Sequence, residues 1–256
     1  YLPRYTLQGN LLIVELLDRI YPGDSIDLLL DYSAVIPEIT KSPKYDYPQV
    51  YGYTDHQVNL MDFYAFVPAV DGNGNWMTPN RGEFGEHLVY PVFDLGIIIR
   101  IASNQNKNLN FTNFFKNYTK LRSFAVSFSS TFTSQTIEQG RNAFSSFYFP
   151  EEERAGIDAL GYMVEAFDLY TRLFGQITNQ NMSVVEAEFS DGMEFSNLFL
   201  LSKDFFTTYN GTPNSFLTTL VAHETAHQWW FGAVGNDQAI DPWLDEALCT
   251  YSEKLF

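Results

Sequence analysis

His223-Glu224-Thr225-Ala226-His227 puts two imidazoles four residues apart, with a carboxylate beside the first. On a helix, that spacing brings both rings to one face, within reach of a single metal ion. Glu224 can then act on a water at the metal without binding the metal itself. A hydrolytic zinc centre usually takes three protein ligands and keeps one position open. Glu246, after 18 intervening residues from His227, is the candidate for the third. The expectation is one Zn2+ per chain held by His223, His227 and Glu246, with Glu224 as the general base. A structural zinc site would normally be closed by four ligands, often Cys. Here three are evident.

The elements that must position these residues can be read locally. Ser215 to Trp230 has helical character. Asp241 to Glu246 reads as a helix start, with Asp241 at the N-cap, Pro242 in the first helical position and acids in the first turn. Between them, Gly232, Gly235, Asn236 and Asp237 are turn formers. The expected unit is helix, loop, helix, with ligands on facing helices. Glu253 lies two helical turns beyond Glu246, on the same face, within reach of a ligand His. Asp245 reads as a first-turn charge, Cys249 as a small buried apolar residue, and Trp229, Trp230 and Tyr251 as packing.

Further upstream, the chain changes character near residue 130. Before it, β signals dominate. Asn10 to Leu17 and Ser25 to Tyr32 read as strands joined at Tyr21-Pro22-Gly23-Asp24. Val58 to Val70 holds another, Leu95 to Ile101 a core strand and Ser123 to Phe128 a further one, with Asn104 to Lys120 as loop. Asp71 to Asn75 reads as a turn and not a calcium loop, since no bidentate Glu closes it. His56 and His87 read as structural. After residue 130, Glu151 to Phe174 has helical periodicity with Leu160, Met163, Val164, Phe167, Tyr170 and Phe174 on one face, ended by Gly175. Two short β segments follow, Ser183 to Phe189 and Leu198 to Leu201. The fold class expected is α+β: a β-rich domain over 1–130, then a mixed domain over 131–256.

Composition narrows the partners. Thirty-one acids against 15 bases give a formal charge of −16, which disfavours nucleic acid, whose binding needs basic patches. The single cysteine rules out an intrachain disulfide framework. No run of apolar residues is long enough for a transmembrane helix.

These residues resemble the aminopeptidase N family of zinc metallopeptidases. His223 to Trp230 is similar to the family's HExxHxWW helix. Trp243-Leu244-Asp245-Glu246-Ala247 is similar to its Trp-Leu-Asn-Glu-Gly segment. Gly192-Met193-Glu194-Phe195 stands where the family carries Gly-Ala-Met-Glu-Asn, with Met193 and Glu194 matching directly. The resemblance covers residues 183 to 256. It implies a thermolysin-like catalytic lobe behind an N-terminal β domain, and a peptide substrate with a free N-terminus. Glu194 would bind the α-amino group, and Gly192 and Met193 would offer backbone to an extended peptide. It also implies that the chain is a piece of a larger enzyme, lacking the family's transition-state Tyr and helical domain, and that residues 1–256 alone turn over little peptide. A related endopeptidase or epoxide hydrolase, and a peptide-binding domain without turnover, remain as alternatives.

Overall fold

A computed structural model describes residues 3–39, 50–61, 63–78, 89–100, 110–111, 117–178 and 181–256. The chain divides into two compact units, Tyr1–Val35 and Ile36–Phe256. Helices and sheets together make the architecture α+β.

In the first unit, β1 (Tyr5–Gln8) pairs antiparallel with β2 (Leu11–Val14). The strand expected within Asn10 to Leu17 is present, but its partner lies upstream, not at Ser25 to Tyr32, which holds no strand. Gly9, at φ +60°, lets the chain reverse over two residues. That closure is shorter than the one through Tyr21–Asp24. The latter still forms a turn, with Asp24 N donating to Tyr21 O at 2.9 Å.

The second unit holds three sheets among the described residues. β3 (Gly52–Tyr53), β4 (Val58–Met61), β6 (Asn110–Phe111) and β8 (Ala125–Ser129) make one, in the order β3-β4-β8-β6. β5 (Phe93–Gly96) and β7 (Asn117–Leu121) make a second. Two expectations need correction here. The strand placed at Leu95 to Ile101 lies at Phe93–Gly96, and residues 97–100 carry none. The Asn-rich segment taken for loop contains β6 and most of β7, whose Tyr118 and Leu121 join a core with Phe124 and Val126. At Asp71, Oδ1 accepts from Asn73 N and Asn75 N, both at 2.8 Å, so the carboxylate closes a turn. His87 lies outside the described residues.

The third sheet positions the site. Its strands are β9 (Thr133–Gln139), β10 (Asn142–Tyr148), β11 (Asn181–Ala187), β12 (Gly192–Phe195) and β13 (Leu198–Ser202), in the order β12-β13-β11-β10-β9. Among the described residues, no strand before Ser129 joins it. β10, β11 and β13 run parallel, and β12 and β9 close the edges antiparallel. β11 and β13 are buried almost throughout because both faces of the sheet are covered. One face meets α1 (Glu153–Phe174), α3 (Phe216–Ala226) and α4 (Trp243–Leu255) in a core that includes Leu160, Met163, Phe167, Tyr170, Val184, Phe199 and Trp229. α1 ends at Gly175, φ +94°, as its sequence predicts. The other face packs Val185, Ala187, Met193, Phe195 and Leu200 against Val50, Ala125 and Phe132. Each large apolar side chain buried this way contributes about 1.5–3 kcal/mol. A short helix, α2 (Lys203–Thr207), follows β13 and is capped by Ser202 Oγ, which accepts from Asp204 N.

Candidate metal centre

α3 starts where Ser215 accepts from Thr218 N at 3.2 Å, a side-chain N-cap. Its regular part ends at Ala226, short of the expected Trp230, and the chain continues as tightened turns, with Trp229 N donating to Ala226 O at 2.9 Å. His223 sits in the last turn and His227 is the C-cap. Their rings still meet, with centroids 5.0 Å apart.

Two anchors hold α3 in place. Tyr170 Oη on α1 donates to Ala222 O at 3.2 Å. Gln228 Nε2 donates to Phe195 O at 3.0 Å, and Gln228 Oε1 accepts from Asn197 N at 2.9 Å. Gln228 is buried and clamps the end of α3 to the β12–β13 turn, where Asn197 takes φ +69°. α4 then packs on α3. Its N-cap is Pro242, not Asp241, and no side chain caps it. Asp241 instead accepts from the indole nitrogen of Trp243 at 3.2 Å.

α4 buries a polar face. Asp245, Cys249 and Ser252 are buried, while Trp243, Leu244, Leu248 and Tyr251 are exposed. Tyr251, expected to pack, is 61% exposed. Cys249 is buried as expected, and burial pushes its thiol up to about 12.

The His and Glu side chains converge. His223 Nε2 lies 3.1 Å from Glu246 Oε2, His227 Nε2 lies 3.2 Å from Glu246 Oε1, and the two Nε2 atoms are 3.3 Å apart. The outer ring nitrogens are also engaged. His227 Nδ1 lies 3.1 Å from Trp230 O, which can only accept, so Nδ1 carries the proton. His223 Nδ1 lies 3.1 Å from Glu253 Oε2, the contact expected for that carboxylate. With both Nδ1 atoms donating, two nitrogen lone pairs and a carboxylate face one another. Such a set is mutually repulsive unless a cation or proton lies between them. Three residues therefore offer ligand atoms within 4.8 Å of one another that could hold one metal ion.

The electrostatics follow from this crowding. Burial disfavours charge on His223, but its hydrogen bond to Glu246 and the field of Glu224 raise it above the usual value. Burial also opposes charge on His227, yet the fields of Cys249 and Glu194 and contact with Glu246 hold it well above normal. Burial alone would raise Glu246. Contacts with both His residues outweigh that and keep it far below the ordinary carboxylate range.

Glu224 is buried, and its Oε2 has no hydrogen-bond partner. Burial raises its pKa, His227 and His223 pull it back, and Glu194 and Glu246 push it up, leaving it raised. Glu194 lies within β12, 3% exposed, in a second group of close carboxylates with His227, Asp245 and Glu246. Along β12, Met193 turns into the core with Phe195, so any contact it makes with a peptide is through its backbone.

Two residues went unrecognised in the sequence. Asp245, read as a first-turn charge, is buried with Oδ2 3.6 Å from His227 Nδ1. Gln238, from the loop, donates through Nε2 both to Glu194 Oε1 at 3.1 Å and to Asp245 Oδ2. Asn236 Nδ2 donates to Asp245 Oδ1 at 2.7 Å. The one local signal was two amides in a turn-forming loop between the two helices. Trp229 and Trp230 pack as expected, their indole nitrogens donating to Gly175 O and Ser252 Oγ at 2.9 and 3.1 Å. His56, exposed, meets Glu188 Oε1 at 3.0 Å, far from this chemistry in role. Neither a scan of protein-family models nor a search of curated proteins finds a match for this chain.

Proposed function

We propose that the protein is a zinc metallopeptidase with a thermolysin-like lobe over its C-terminal half. Within that class, the reading is an aminopeptidase that removes N-terminal residues from peptides. One observation carries it: His223, His227 and Glu246 converge on one point, beside a buried Glu224 with an unpartnered carboxylate oxygen. Two imidazoles and a carboxylate are the ligand set of catalytic zinc sites that keep an open position. When bound, zinc supplies Lewis acidity to the scissile carbonyl and lowers the pKa of water.

The chain's own residues do the rest. Glu224, one residue from a ligand, takes a proton from the attacking water and delivers it to the leaving amine. Glu194, fixed by the Gln238 amide, receives the α-ammonium of the substrate. That charge pairing sets the cut one residue from the N-terminus. β12 is an edge strand, so its backbone can pair with an extended peptide. Glu253 and the Trp230 carbonyl orient the two imidazoles from behind.

The test is amine recognition. Calorimetry on the zinc-loaded protein compares an alanyl dipeptide with its N-acetylated form, in the parent and in Glu194→Gln. The free amine is expected to bind at least about tenfold tighter, and the preference to collapse in the variant. Equal affinities in the parent contradict the aminopeptidase reading.

A further inference from the structure

Gly192 has no conformational reason to be glycine. Its φ is not in the left-handed region, and it sits in a regular strand opposite Leu201. Any L-residue can adopt that backbone, and glycine inside a strand weakens it. What glycine provides here is space. A Cβ built at 192 would overlap Glu224 Oε1 and stand 3.0 Å from the Glu224 carboxyl carbon and 3.3 Å from Leu201 Cδ2. The carboxylate of α3 therefore lies directly against the bare Cα of β12.

We propose that Gly192 is a positioning residue whose missing side chain forms the seat of the Glu224 carboxylate. The functional weight of the seat rests on the reading of Glu224 as general base; the contact itself does not. Glu224 is buried beside two imidazoles and near Glu194 and Glu246. Held against β12, its carboxylate is confined between that strand and the His pair. A methyl group at 192 would drive it out of that position. The clash is with the far end of a side chain rather than with backbone, so the fold can yield to it while the carboxylate cannot stay. This differs from the role implied by the resemblance, in which the residue serves the substrate through its backbone.

A double-mutant cycle decides the matter. Thermal unfolding of the metal-free protein is measured for Gly192→Ala in three backgrounds: parent, Glu224→Ala and Glu224→Asp. With Glu224 in place, the added methyl is expected to lower the midpoint. With Glu224→Ala, the same substitution should raise it by about 1–4 °C, the ordinary gain from replacing a strand glycine. Glu224→Asp, one methylene shorter, should largely rescue the loss. A variant that fails to fold only when Glu224 is present supports the proposal as well. A shift of the same sign and size in all three backgrounds, or failure to fold in all three, overturns it. Peptide is absent throughout, so this outcome is independent of the amine-recognition result, which alone tests the peptidase reading.

Discussion

Glu186 and Glu224 are both buried carboxylates in different surroundings. Glu186 is fully buried on β11, where Oε2 accepts from Phe149 N at 2.8 Å. Burial raises its pKa to about 8, despite that hydrogen bond and with help from the charge of Glu152. The folded state therefore holds a proton that the unfolded chain releases near pH 4.5. Its stability is fully present below that pH and is lost as pH rises towards about 8. Glu186→Gln keeps an acceptor for Phe149 N and removes the titration. The expected outcome is a variant more stable than the parent by a few kcal/mol at pH 8 and above, with the gap closing towards pH 5. Parallel stability curves from denaturant titrations across that range would contradict this. Glu224, by contrast, lies beside two imidazoles and two further carboxylates. The meeting of the two imidazoles was legible because His223, Glu224 and His227 are neighbours on one helix, and local spacing determines which side chains meet. Asp245 and Gln238 were not legible. Their meaning comes from contacts with His227 and Glu194 that only the folded chain creates.

At the scale of elements, α4 is inside out. It turns carboxylates and Ser252 towards α3 and leaves Trp243, Leu244, Leu248 and Tyr251 exposed. Burying carboxylates costs stability unless they are paired, so the face is explained by what it holds and not by how well it packs. α3 needs an anchor against that strain, and Gln228 is one. Replacing it by Leu removes both hydrogen bonds and takes from the buried Asn197 N the acceptor it has in Gln228. The expected loss is roughly 1–3 kcal/mol in denaturant unfolding, from one unsatisfied buried donor. A loss under about 1 kcal/mol would mean that the β12–β13 turn holds α3 by other means. Elements with a clean period were readable: α1 follows from apolar residues on one face and Gly175 at its end. The first hairpin was not, because Gly9-Asn10 offered a shorter closure than the more conspicuous Pro-Gly turn. β7 was hidden by polar composition, since only two of its residues, Tyr118 and Leu121, are buried.

At the scale of the molecule, the sheet of β9 to β13 is a platform with apolar cores on both faces. The polar centre sits where α3, α4 and the edge strand β12 meet. The stability invested in those cores supports a site that opposes it. Two imidazole nitrogens facing a carboxylate that is held far below its ordinary range mark a place that gains from a cation. A bound ion stabilises the folded state by linkage, so the same site changes from a liability to a support. The α+β class was readable from strand signals in the first half and helical periodicity in the second. The division at Val35 was not, because no shift of composition marks it. We propose that His223, His227 and Glu246 hold one zinc ion. The direct measurement is bound metal per chain, by elemental analysis after zinc is supplied and excess removed, for the parent and for Glu246→Ala. About one zinc per parent chain and clear loss in the variant is the predicted result. No zinc in the parent, or equal zinc in both proteins, would contradict it.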